Sequence, residues 1–269
     1  MPPGRPKALA PWGERRKAPF GGNRQDGALV EYLLILLVGL VAGTLGGIVG
    51  FGSSIMLMPV LVIVFGPREA VPIMAIAAIM ANLSRVLAWW REVDWRACAA
   101  YSVTGIPGAA LGARTLLALP PRVVEAALGA FFIAMIFVRR RLASANVKVA
   151  LWHLAAAGLV IGFLTGIVVS TGPISVPIFL AYGLVKGAFL ATEAASSLAM
   201  YVSKAAVFRT FGALPADIAI RGLLTGSSLM GGAFIAKRFV VKLDPARFRM
   251  LMDGLMLLSG ATMLWAAAT

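Results

Sequence analysis

Charge is what this sequence has least of: 13% of its 269 residues are Asp, Glu, Lys or Arg, against about a quarter in soluble domains. Acids are the scarcer kind, 11 against 25 Lys and Arg, for a net charge of +14. There is also one cysteine, Cys98, and one histidine, His153. A single thiol excludes an intramolecular disulfide and a Cys-based zinc site, and a lone imidazole excludes a His-rich metal site. No Walker-type phosphate loop occurs, so the chain cannot drive ATP-powered pumping without a partner. Neither a metal nor a cofactor is expected.

What the sequence has instead is apolar length. Hydrophobic residues make up 60% and the mean hydropathy is +0.88. Residues 32–67 contain no charge, and within 149–185 His153 is the sole ionisable side chain apart from tyrosine. At ~1.5 Å per residue the first run would reach about 54 Å, whereas a hydrocarbon core is about 30 Å thick. Each run must therefore tilt, break or double back. In a soluble protein the pI of 11.1 would point to nucleic acid. Here the basic residues punctuate apolar segments, which makes them topology and lipid-headgroup determinants, with the bilayer as partner and no nucleic acid.

Six shorter apolar stretches, 70–90, 97–117, 123–138, 188–208, 218–236 and 248–268, join the two long runs to make eight units. The expected fold is all-α: a polytopic membrane protein of about eight transmembrane helices, arranged as two tandem pseudo-symmetric four-helix repeats. The first helix of each repeat is broken or re-entrant. Residues 1–28 read as a disordered, basic, cytoplasmic tail. Residues 29–142 form the first repeat, 143–148 a basic linker and 149–269 the second repeat. The apolar stretch after the tail is too long for a cleaved signal, and the expected location is multi-pass in a bacterial inner membrane.

The halves are copies. Gly39, Gly43 and Gly47 recur 119 residues later as Gly158, Gly162 and Gly166, and the same offset carries Ser84 to Ser203, Arg85 to Lys204 and Gly112 to Gly231. Internal duplication is a recurrent transporter architecture, with substrate held between the repeats. Whether the copies are parallel or inverted depends on how often each long run crosses, which charge counting does not fix.

Each long run ends in a Gly/Ser/Pro cluster, GTLGGIVGFGSSIMLMP at 43–59 and GFLTGIVVSTGPISVP at 162–177. Glycine permits unusual backbone and proline removes a donor, so breaks are expected over 51–59 and 170–177. Backbone interrupted at membrane depth must line a cavity or be buried in protein, and half-helix N-termini there favour an anion. Gly50, Gly52, Ser53, Ser54, Ser170, Thr171, Gly172 and Ser175 are the candidate ligand-lining residues of these clusters. The plainer reading of the upstream glycine stripes is close helix packing.

Asn82 stands three residues before Arg85, and Tyr201 three before Lys204, so each polar and basic pair shares a helix face. A cation inside a membrane helix needs a partner, water or an interface within reach. Asn82, Arg85, Ser203 and Lys204 are therefore candidate anion contacts, weighed against simple snorkelling. Glu193 is a candidate proton relay, the plainer alternative being a carboxylate at a helix start. Asp217, Arg221 and Asp253 fall in or near apolar stretches, and His153, beside Trp152, reads as interfacial. Trp89, Trp90 and Trp95 form an aromatic belt.

At these residues the sequence resembles the TauE/SafE sulfite-exporter family, also called the toluenesulfonate-uptake permeases. The likeness covers 30–269 and rests on the duplicated Gly-rich segments, the Asn82 to Arg85 and Ser203 to Lys204 pairs, and GIPGAALGA at 105–113. The resemblance implies an inner-membrane permease of about eight helices for sulfite, sulfoacetate, sulfonates or other small anions. A secondary transporter accounts for duplication, breaks and paired cations together, an anion channel being the alternative. A membrane-embedded enzyme fares worse, because a Ser-His pair must use His153 and adjacent Ser203 and Lys204 face different ways. A structural subunit is a further option. Homo-oligomerisation stays open.

Overall fold

The structure is a computed structural model that describes residues 24–49, 53–120, 149–168 and 171–239, with scattered positions within 123–137 and 254–265. Among the described residues there are helices and short turns and no strand. The described residues are thus helical, as the composition demands of backbone placed in lipid.

Eight continuous helices are described: α1 (Arg24–Val49), α2 (Ser53–Phe65), α3 (Pro67–Trp89), α4 (Trp95–Ala118), α5 (Leu151–Ile167), α6 (Gly172–Ala181), α7 (Lys186–Thr210) and α8 (Ala216–Phe239). The first of them starts inside the stretch read as tail, at Arg24. Gly66, with φ of 76°, makes the turn between α2 and α3, a conformation that residues with a Cβ resist. Pro67 then opens α3, where its missing N–H is no loss. Asp94 caps α4 by accepting from the Arg96 and Ala97 amides, both at 3.0 Å.

By length and composition two stretches, Glu69–Glu92 and Ala216–Ala236, can each cross a membrane, while Tyr32–Gly47 and Leu151–Ile167 are apolar but shorter. Eight such spans were expected. The difference has a physical source in α7, whose Lys186, Glu193, Lys204 and Arg209 lower its hydropathy, and in α4, which carries Arg96 and Arg114. The expected units at 123–138 and 248–268 lie largely outside the described residues.

The 119-residue register holds in the elements. Ser53 and Pro67, which start α2 and α3, map onto Gly172 and Lys186, which start α6 and α7. Packing follows the same rule. First-half α1 and α3 pack on second-half α8, and second-half α5 and α7 pack on first-half α4; α3 and α7 also meet each other. Each half thus completes the other's bundle.

Neighbouring residues fix the helix directions. Along α1, Gly39, Gly43 and Gly47 meet Ser228, Leu229 and Ala233 in rising order, so α1 and α8 run the same way. Glu69 pairs with Arg221 and Met80 lies against Gly226, so α3 joins them. On the other side α5 and α7 run with α4: Gly158 lies against Tyr101 and Gly166 against Ala109, while Asp94 meets Thr192 and Ile106 meets Ser203. Arg221 beside Glu69 puts the α7–α8 turn, and with it the end of α7, near the start of α3. Near the far end of α3, Arg85 pairs with Glu193 in the first half of α7, so these two helices are antiparallel. Every long helix therefore opposes its own copy. Because α1 and α3 run in one direction, the segment holding α2 doubles back between them. The 13 residues of α2 cover about 20 Å, too short for a full crossing.

The glycine stripes are packing surfaces. A Cβ at Gly43 would lie 2.2 Å from the Leu229 carbonyl oxygen, and one at Gly162 would lie 2.3 Å from that of Gly105. These obstacles are backbone and cannot rotate away. At Gly231 the nearest atom is a Leu40 methyl at 3.6 Å, an ordinary contact. Gly162→Ala should thus lower unfolding stability by about 1–3 kcal/mol, whereas Gly231→Ala should leave it unchanged. SDS titration of the purified variants measures the difference; equal tolerance at both positions contradicts the packing.

Candidate functional site

In the second half the interruption falls at the upstream edge of the stretch expected to break, and in the first half residues 50–52 lie outside the described residues. α1 ends at Val49 and α2 begins at Ser53; α5 ends at Ile167 and α6 begins at Gly172. Pro59 and Pro177 lie inside α2 and α6 and end neither. In the second half Pro173 occupies the first turn of α6, where its fixed φ starts a helix and its missing donor costs nothing. The break sits just before it, at Val168 (φ −98°, ψ 170°) and Thr171 (φ −106°, ψ 4°). Gly50, Gly52 and Ser170 lie outside the described residues.

Lys204 is buried beneath this second break, with 1% of its surface exposed. Its ammonium donates to the carbonyl oxygens of Thr165 at 2.8 Å and Val168 at 3.0 Å, and it lies 5.5 Å from the centre of the Phe208 ring. A cation at a helix C-terminus meets both the exposed carbonyls and the negative dipole end. The Thr165 hydroxyl donates to Ile161 O at 2.7 Å and lies 2.6 Å from the Thr171 hydroxyl. Since Thr165 commits its proton to Ile161, Thr171 is the donor of that pair. Snorkelling does not describe Lys204, whose head turns inward.

Its first-half counterpart does something different. Arg85 donates to Glu193 Oε2 at 3.0 Å and to Asn82 Oδ1. Glu193, 3% exposed, is about two turns inside α7 and is not a helix-start carboxylate. Its other oxygen accepts from Ser197 at 2.9 Å and Ser175 at 3.2 Å. Tyr201, one turn further along α7 and buried, is hydrogen-bonded to Ser54 at the start of α2.

The cluster thus draws on α2, α3, α6 and α7, and it straddles the halves: Arg85 and Asn82 come from one, Glu193, Ser175 and Ser197 from the other. The cations are duplicated but the carboxylate is not. At the 119-residue offset Glu193 corresponds to Met74, Ser175 to Met56 and Ser197 to Ala78.

Of the expected site residues, Ser54, Asn82, Arg85, Ser175 and Glu193 are brought together. Thr171, Gly172 and Lys204 gather at the second break, where the Gly172 carbonyl oxygen lies 3.4 Å from the Ser175 hydroxyl. Ser53 packs against Gly46. Ser203 faces elsewhere and donates to Ile106 O on α4 at 3.0 Å. Thr165 was not foreseen, although a hydroxyl inside the glycine stripe, one turn before the break, marks it. Ser197 was visible only as a neighbour of Glu193, four residues on and hence on its face.

Two further ionisable side chains among the described residues, His153 and Arg221, have structural partners. His153 Nδ1 accepts from the Ala150 amide at 3.0 Å and stacks on Trp152, finishing the start of α5. Arg221 pairs with Glu69 at 2.7 Å and lies over the Phe65 ring. Asp217 is in the first turn of α8, where the dipole favours an acid. Asp253 lies outside the described residues.

The described residues thus form a bundle of apolar helices with a buried carboxylate on which Arg85, Ser175 and Ser197 converge. The model of the family "Sulfite exporter TauE/SafE" matches residues 35–263, and the chain belongs to that family. Neither a curated protein nor a solved structure matches the chain significantly.

Removing one member of a buried ion pair strands the other charge. Arg85→Met should lower stability by about 3–5 kcal/mol, and Glu193→Gln in the same chain should restore most of it. Additive losses in the double variant, read by SDS unfolding, contradict the pairing. Lys204→Met leaves two carbonyls without a donor and should lose about 1–3 kcal/mol.

Proposed function

We propose that the chain is a multi-pass permease of the bacterial inner membrane that moves a small, sulfur-containing anion by secondary transport, with the solute bound at the Arg85 cluster. One observation carries this reading: the donors of Arg85, Ser175 and Ser197 converge on a single carboxylate at the contact between the halves. A sulfonate or sulfite presents oxygens to the same donors, and a guanidinium fork can pair two oxygens of such pyramidal or tetrahedral oxyanions as it does those of a carboxylate or phosphate.

The opposed directions of the halves support an inverted-repeat arrangement, in which the two conformations of alternating access are related by exchanging the roles of the repeats. In this reading α2 and α6 are half-length returns that bring their starts to the site, and Lys204 holds the second break open by occupying its carbonyls. Rocking α3 against α7 exposes the cluster to one side and then the other.

Purified protein in liposomes should take up sulfite or sulfoacetate in preference to acetate, with saturation and with counterflow of labelled solute. Arg85→Ala and Lys204→Ala should insert normally yet lose flux at least about tenfold, equivalent to 1.4 kcal/mol or more. Non-saturating flux without counterflow identifies a channel; unchanged flux in Arg85→Ala removes the cluster from the pathway.

A further inference from the structure

Glu193 stands where a transported anion would stand. Each donor that suits an oxyanion in this cluster already has a protein acceptor: Arg85 and the two serine hydroxyls point at the carboxylate. An entering anion must therefore compete with a tethered one. From the anion-permease reading, on which this step rests, we infer that Glu193 is a proton-gated internal competitor: anion takes over Arg85 when Glu193 binds a proton, and the two travel together as a proton–anion symport.

The charge count favours this exchange. Unloaded, the site holds Arg85 positive and Glu193 negative. Loaded with one proton on Glu193 and one monoanion on Arg85, it has the same net charge. Anion entry without the proton would leave two negative groups around one guanidinium in a buried site, which low dielectric penalises severely. The proton bonds to Oε2, the oxygen that faces Arg85, and turns it from acceptor into donor. Ser175 and Ser197 stay on Oε1 and keep the neutral carboxyl in place. An O–H beside Arg85 then adds a further donor for the incoming anion.

The groups facing Glu193 leave this competition to one cation. From α3 comes Arg85; α6 contributes the uncharged Ser175; α4 contributes Tyr101 and α7 itself Tyr201, both within electrostatic reach. Lys204, the other buried cation, is turned to the carbonyls of α5. The absence of a first-half duplicate fits as well, since Met74 stands at the copied position and one carboxylate gives one proton per cycle.

The test uses full-length protein in liposomes with methanesulfonate, a monoanion that stays ionised from pH 5 to 8 and so cannot carry the proton itself. Interior pH is read with a trapped dye. Wild-type protein should accumulate methanesulfonate down an inward proton gradient, acidify the interior as it does so, and respond weakly to an imposed voltage. Glu193→Gln, which keeps the shape and loses the charge, should lower the protons taken up per methanesulfonate at least tenfold, and whatever flux remains should follow an imposed voltage. Methanesulfonate flux in the wild type that follows voltage and ignores the proton gradient overturns the symport and leaves the permease reading standing. Absence of flux for methanesulfonate, sulfite and sulfoacetate alike overturns both. Should Glu193→Gln fail to insert, the wild-type pH and voltage responses decide alone.

Discussion

A carboxylate taken out of water in an apolar bundle must be surrounded by donors, and the placement of Glu193 dictates much of what surrounds it. Arg85 reaches it from α3, Ser175 from the short α6 and Ser197 from its own helix. Three elements from both halves thereby converge on one point. A soluble protein could leave such a group at its surface; a chain with 13% charged residues and 60% hydrophobic ones places it inside and must satisfy it there.

The same constraint explains the two broken segments. An interrupted helix in lipid exposes carbonyls at one side of the break and amides at the other. In the second half the carbonyl side is closed by Lys204, which is why a lysine lies 1% exposed among Phe208, Thr165 and Val168. The two cations related by the 119-residue offset thus have different partners, one holding backbone and the other a carboxylate. The glycine stripes permit this geometry by letting α5 lie against α4, and α1 against α8, at backbone contact, so that each half is anchored in the other.

Much of this architecture was legible from the sequence. Gly39, Gly43 and Gly47 and the glycines 119 residues later point to a duplication, and the same offset relates the starts of α2 and α3 to those of α6 and α7. Arg85 and Lys204 were marked by their presence in apolar helices, and Glu193 by being an acid there. In the second half the interruption at Val168 and Thr171 meets only the upstream edge of the stretch 170–177, because Pro173 lies in the first turn of α6, where proline is tolerated, and Pro177 lies inside that helix. The role of Lys204 was not legible, since its partners are main-chain carbonyls, which every residue possesses. Nor could the opposition of the two halves be read, because direction depends on which faces meet and a chain listing contains no such information.

The proposed coupling of proton to anion depends on whether an anion and Glu193 share the Arg85 guanidinium. A cryo-electron microscopy structure determined with sulfoacetate at low pH addresses it most directly. The account predicts sulfonate or carboxylate oxygens within hydrogen-bond distance of Arg85, with Glu193 Oε2 displaced from its 3.0 Å contact while its serine partners are kept. Solute bound elsewhere, with the Arg85–Glu193 pair intact beside it, would contradict the account.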